Sequence, residues 1–267
     1  MTLLLVSYAP LAAGHSPLSA DLETRMAAAV SGLPMLALCA LYASGALRKR
    51  PGWQRGMAFA LSMLLAFYAV LGPLDHWAEH SSAWHMVQHM LFMVVIAPLF
   101  VLARPLPQLV AAGGKAVIRC WSPLLVVASR PLLAAYLHGL VVWFWHVPRF
   151  YNLALAHPWW HVIEHASFLL TAGLFWWAVL KSGVRKVHWV LFALLFTLVH
   201  TGFLGAMLTF AQQPLYAEGR SLADQQLAGL VMWVLGAVPY LLASAWVGYR
   251  WYRQVQRRLD SGDEHPR

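Results

Sequence analysis

At positions 84–103 the chain reads WHMVQHMLFMVVIAPLFVLA, twenty residues without an Asp, Glu, Lys or Arg. A helix of that length rises about 30 Å, which matches the hydrocarbon thickness of a bilayer. No apolar–polar alternation runs through the stretch, so it reads as a helix and not a strand. In lipid, only helices and closed barrels satisfy every backbone polar group. One end of this span carries His85 and His89, four residues apart and therefore on one helix face. Ionisable groups at membrane depth are costly and mark function by default.

The rest of the chain has the same character. Of 267 residues, 60% are hydrophobic and only 11% charged, against about 25% charged in soluble domains. Seven apolar segments can be walked off, over residues 26–47, 57–74, 84–103, 124–145, 162–180, 188–210 and 225–249. The reading is an all-α polytopic membrane protein, a seven-transmembrane-helix bundle. Fourteen tryptophans suit anchoring at membrane interfaces.

Charge sets the expected topology. Sixteen of the nineteen basic residues fall after the first, third, fifth and seventh segments, in runs such as Arg48, Lys49 and Arg50; only Arg25, Arg149 and Arg220 fall on the other side. The positive-inside rule then places the N-terminus outside and the C-terminus in the cytoplasm. Three parts are expected: an extracytoplasmic leader over 1–25, the membrane domain over 26–249 and a basic cytoplasmic tail over 250–267. The apolar run at 3–13 resembles a signal-peptide core but lacks a basic flank. Residues 260–267 read as a disordered end. The net charge of +9 is spread over membrane loops, which excludes nucleic acid as a partner; the lipid bilayer is the partner it implies. Cys39 and Cys120 lie in different segments without CxxC spacing, which argues against a disulfide framework or a thiolate zinc site.

Most of the thirteen histidines fall on the side opposite the basic loops. His76/His80, His85/His89 and His161/His165 are all i, i+4 pairs, each able to aim two imidazoles at one metal ion. His146 and His200 are candidates for further ligands. Met86, Met90 and Met93 share the third segment, and Met207 lies seven residues after His200; soft thioethers beside imidazoles favour Cu(I). Asp75, Glu79 and Glu164 either orient imidazole N–H groups or solvate the loops. No G-x-S-x-G, H-E-x-x-H or P-loop occurs, so no enzyme activity is expected. Two other readings stay open: a b-type haem between His89 and His165 or between His138 and His200, and a proton-coupled transporter using buried histidines as a relay.

Several blocks carry a family resemblance. They are Trp84-His-Met-Val-Gln-His-Met-Leu, Trp143-Phe-Trp-His-Val-Pro, Trp160-His-Val-Ile-Glu-His and Thr201-Gly-Phe-Leu-Gly-Ala-Met-Leu-Thr, followed by Pro214-Leu-Tyr. Over residues 30–248 the chain resembles the CtaG family of bacterial cytochrome c oxidase assembly factors, the multi-spanning type linked to caa3 oxidases. The resemblance implies a bacterial inner-membrane protein with seven helices. It implies a role in maturing haem-copper oxidase, by supplying copper to its subunits, with His85, His89, His146, His161 and His165 as functional positions. His76, His80, His138 and His200 rest on spacing and depth alone.

Overall fold

The structure, a computed structural model, describes residues 22–216 and 220–262. The leader up to residue 21, with His15, and the end of the tail, with His265, lie outside the described residues.

Twelve α-helices follow one another, with no strand among the described residues. They are α1 (Leu22–Arg48), α2 (Trp53–Leu71), α3 (Pro73–His80), α4 (Ser82–Met90), α5 (Ala97–Ala103), α6 (Leu106–Ala128), α7 (Pro131–His146), α8 (Pro148–Ala156), α9 (Pro158–Lys181), α10 (Val187–Thr209), α11 (Leu222–Leu230) and α12 (Gly236–Gly262). Proline sets many of the starts. Pro73, Pro131, Pro148 and Pro158 each occupy the first helical position, where a missing N–H costs nothing and the fixed φ suits the helix.

Two wide π turns, Leu91–Ile96 and Val231–Leu235, join α4 to α5 and α11 to α12 into single crossings. Each precedes a proline, Pro98 and Pro239, which cannot donate to the carbonyl four residues back. The backbone widens instead: Ala97 N–H bonds to Phe92 and Gly236 N–H to Val231. Within the first π turn the Met93 carbonyl accepts the Trp176 indole N–H at 2.7 Å, which pins α9 to this crossing.

Seven helices are long and apolar enough to cross a membrane, but the set differs from the one read by hydropathy. Residues 124–145 do not form one helix. The chain breaks at Ser129 and Arg130, because Pro131 would cost an interior hydrogen bond if the helix ran on. Residues up to 128 belong to α6, which is kinked where Gly114 takes φ +56°. Length and composition admit α6 as a span, yet its contacts place both ends at one face. Near its start, Gln108 donates to the Lys49 carbonyl and Arg48 donates to the Ala111 carbonyl. Just past its end, Lys186 donates to the Ser129 carbonyl. Lys49 and Lys186 both sit in basic connections. Gly45 presses so closely on the Gln108 backbone that no Cβ would fit there.

A helix that starts and ends at one face does not traverse the bilayer. The crossing is made instead by α7, sixteen residues long, about 24 Å at 1.5 Å per residue. The bundle therefore keeps seven crossings and two chemically distinct faces. One carries the basic connections. The other carries α3, α8, residues 210–216 and 220–221, and the histidine-bearing helix ends. The tail stays helical through Gly262, so residues 260–262 are ordered helix where disorder was expected.

Side-specific labelling tests the placement of α6. With Cys39 and Cys120 changed to Ser, Lys115→Cys and Arg185→Cys should react with a membrane-impermeant maleimide from the same side of oriented vesicles. Labelling from opposite sides would make α6 a crossing.

Candidate metal centre

Five histidines and two carboxylates converge at the histidine-bearing end of the bundle. His85 and His89 come from α4, His146 from the end of α7, His161, Glu164 and His165 from the first turns of α9, and Asp75 from α3. All seven are buried, and His85, His89 and Glu164 have no exposed surface. The i, i+4 spacing stacks His85 over His89, with ring centroids 4.1 Å apart, and His161 over His165, at 4.0 Å. The two pairs face each other, His85 to His161 at 5.6 Å and His89 to His165 at 5.8 Å. His146 approaches His89 at 6.4 Å.

Glu164 sits among them. Its carboxylate oxygens lie 3.8 Å from His85 Nε2, 3.6 Å from His89 Nε2 and 4.0 Å from His161 Nε2. These separations exceed hydrogen-bond length. Both Glu164 oxygens and all four ring nitrogens of His85 and His89 are buried without a hydrogen bond. Buried polar atoms normally find partners, so a fully buried cluster of orphaned donors and acceptors points to a guest. Two sets of three donors could each hold a metal ion, with ligand atoms within 4.8 Å of one another: His85, His89 and Glu164, and Asp75, His161 and His165.

The surrounding groups hold these donors in place. His146 Nδ1 donates to the Val142 carbonyl at 2.7 Å. A carbonyl only accepts, so the bond fixes the tautomer and leaves the Nε2 lone pair available. Gln88 donates to the Ala69 carbonyl and to Asp75 Oδ1 at 2.8 Å, fixing the Asp75 carboxylate. Asp224 on α11 caps the start of α4, accepting from the Ser81 hydroxyl and from the Ser82 and Ala83 N–H groups. Its approach is made possible where α10 and α11 cross: a Cβ on Gly229 would lie 2.6 Å from the Gly205 carbonyl. Arg220 donates to Tyr151 Oη, Ser82 Oγ and the Ala78 and Glu79 carbonyls, and so ties the 210–221 loop to α3, α4 and α8. Tyr151 stacks on Tyr216 and meets His85 edge-on at 5.2 Å. Burial pushes the Tyr151 phenol up to about 12, so it stays neutral at any physiological pH.

The remaining candidates lie elsewhere. His76, Glu79 and His80 form a separate, more exposed donor set on α3, with His80 Nδ1 bonded to the His76 carbonyl at 2.9 Å. His200 does not join the buried cluster. It lies about three turns down α10, with Nε2 3.0 Å from where a Cβ on Gly139 would sit and its ring against Phe196. Its neighbour there is His138, whose Nδ1 bonds Thr171 Oγ1 at 3.1 Å. Met207 is 45% exposed, and the Met90 sulfur packs at the position a Gly236 Cβ would take.

The sequence reading placed Glu164 and Asp75 beside the histidines only as orienting or solvating groups, and gave Gln88, Tyr151, Arg220 and Asp224 no role. The i, i+3 spacing of His161 and Glu164 was the available signal for the first. The others act through contacts between distant segments.

Asp224 gives a stability test. Asp224→Ala removes three hydrogen bonds to a carboxylate at the start of α4 and should cost about 1.5–3 kcal/mol, the range for a hydrogen bond to a charged group, seen as a lower thermal midpoint in detergent. An unchanged midpoint would mean that α4 is held without its cap.

No curated protein and no solved structure matched the chain. One family did, described as cytochrome c oxidase caa3 assembly factor (Caa3_CtaG), and its match runs over residues 40–254. That stretch holds five of the seven crossings whole, most of the last, the final nine residues of α1, and every residue of the buried histidine–carboxylate cluster. The chain belongs to the cytochrome c oxidase caa3 assembly factor family.

Proposed function

We propose that the protein binds copper at the His85, His89, His146, His161, His165 and Glu164 cluster and hands it to a haem-copper oxidase subunit during assembly. Copper is cargo in this reading, and the protein performs no catalysis. The observation that carries it is Glu164: a carboxyl group with no exposed surface and no hydrogen bond, ringed by imidazoles at 3.6–4.0 Å. An isolated carboxylate in a low-dielectric interior is strongly unfavourable. A cation bound by these same donors supplies the balancing charge and coordinates their unpartnered lone pairs.

The donor set refines the expected ion. Imidazole nitrogen and carboxylate oxygen suit a borderline divalent cation as well as Cu(I). Of the thioethers that favoured Cu(I), Met207 is 45% exposed and the Met90 sulfur packs against Gly236. The His76, Glu79 and His80 group, partly exposed on the same face, suits a first docking point from which copper reaches the buried cluster. By the positive-inside rule the histidine face is extracytoplasmic, and membership of an oxidase assembly family supports the bacterial inner membrane as the protein's location. The target subunit is itself embedded in the membrane, so transfer proceeds by lateral contact.

Haem is disfavoured by packing. A macrocycle between His89 and His165 needs a flat slot, and that space is taken by Glu164 and by ring contacts of 4.0–6.4 Å. Protein purified from membranes should therefore show no Soret band.

Cells carrying His89→Ala or His165→Ala should keep normal levels of the protein in the membrane. Their terminal oxidase activity at limiting copper should fall by about 10–100-fold, the range seen when metal sites are perturbed, and recover in part with excess copper. Full activity at limiting copper in both strains would remove the delivery role.

A further inference from the structure

A second feature lies at the opposite end of the bundle and is independent of the copper reading. A cavity of about 320 Å³ opens between α1, α2, α5, α6 and α9. Its walls are entirely apolar and include Met63, Phe100, Trp121, Leu170, Gly173 and Trp177. Leu170 is also half exposed on the lipid-facing surface, so the cavity is open sideways to the bilayer. α6 forms one wall. It packs closely against α1 and leaves a cleft between itself, α2, α5 and α9.

The floor of this cleft is strongly cationic. Phe100 is four residues before Arg104, and Trp177 is four before Lys181, so both cations lie one helical turn, about 6 Å, beyond the lining residues. The charges of Arg104 and Arg55 both act on Lys181. None of the three forms an ion pair among the described residues, and the only described carboxylate at this face is Asp260. Arg55 and Arg104 are exposed and Lys181 is half-buried, so the three cations are open to an anion that approaches from the basic face. Basic pockets between membrane helices at the cytoplasmic side are the usual seat of anionic lipid headgroups.

We propose that this cleft is a binding site for one anionic phospholipid. An acyl chain fills the apolar cavity behind α6, and the phosphate is held by Arg55, Arg104 and Lys181. The two halves complement each other. Hydrocarbon alone would explain the cavity but not the unpaired cations, and a free phosphate would explain the cations but not the cavity. The lipid also has a structural consequence, because its chain packs α6 to α1 and α9.

Native mass spectrometry of the full-length protein, delipidated in detergent and titrated with phosphatidylglycerol or phosphatidylcholine of identical chains, tests the site. One phosphatidylglycerol should be retained with at least tenfold preference over phosphatidylcholine. Arg104→Gln with Lys181→Gln should abolish that preference. Gly173→Leu should weaken retention of both lipids at least tenfold. A Cβ at Gly173 meets open space, so this variant should fold normally and its side chain should occupy the cavity. Equal retention of the two lipids by the unaltered protein would overturn the headgroup assignment. Undiminished phosphatidylglycerol binding in a folded Gly173→Leu protein would overturn the cavity assignment. Binding of glycerol 3-phosphate as tight as that of the lipid would show an anion site without a chain.

Discussion

The structure depends on a carboxyl group held with none of its surface exposed. Glu164 lies fully buried on the second turn of α9, within 3.6–4.0 Å of three imidazole nitrogens and without a hydrogen bond. A carboxylate in that position requires a proton, an imidazolium or a metal cation to balance it. The helix packing serves to keep those alternatives at hand. Trp176 bonded to the Met93 carbonyl holds α9 against the crossing that carries His85 and His89. Asp224 fixes the start of that crossing. Arg220 joins the connecting loop to three helices above the cluster.

The buried histidine–carboxylate cluster and the basic connections occupy opposite ends of the bundle. One face collects the imidazoles, Asp75 and Glu164; the other collects unpaired cations and the non-crossing α6. On the proposed function, this separation keeps a bound cation a membrane's thickness away from the basic connections. Coulomb repulsion between the basic connections and a metal ion is then weak. α6 completes the division. Its ends are hydrogen-bonded to basic connections, which keeps Lys115 and Arg119 at the face where charge belongs.

Much of this was legible in the sequence because the strongest signals are local. Hydropathy found seven spans, and the i, i+4 spacing of His85/His89 and His161/His165 set each pair on one face before any contact was known. The misreading at 124–145 came from letting hydropathy run through Pro131, whose ring marks a helix start. α6 misleads any count by length and composition, since its apolar stretch lies along the bundle without traversing it. The two π turns were invisible to a 3.6-residue period, although Pro98 and Pro239 are their cause. His200 was set near mid-depth by residue count, but its neighbour depends on which helix α10 packs against. The roles of Gln88, Tyr151, Arg220 and Asp224 depend on pairings over 13 to 143 positions, which no single sequence displays.

The central claim is that the buried histidine–carboxylate cluster is built for a metal ion. Its most direct test is elemental analysis with X-ray absorption spectroscopy on protein purified from membranes without a histidine tag, beside Glu164→Gln. The account predicts copper bound in the natural protein, with a shell of imidazole nitrogen and carboxylate oxygen at about 2.0–2.2 Å, distances typical of such ligands on a related ion. In the variant that oxygen should be lost and copper occupancy should fall sharply. Protein that remains free of metal after copper supplementation, or copper bound equally well without the Glu164 carboxylate, would contradict it.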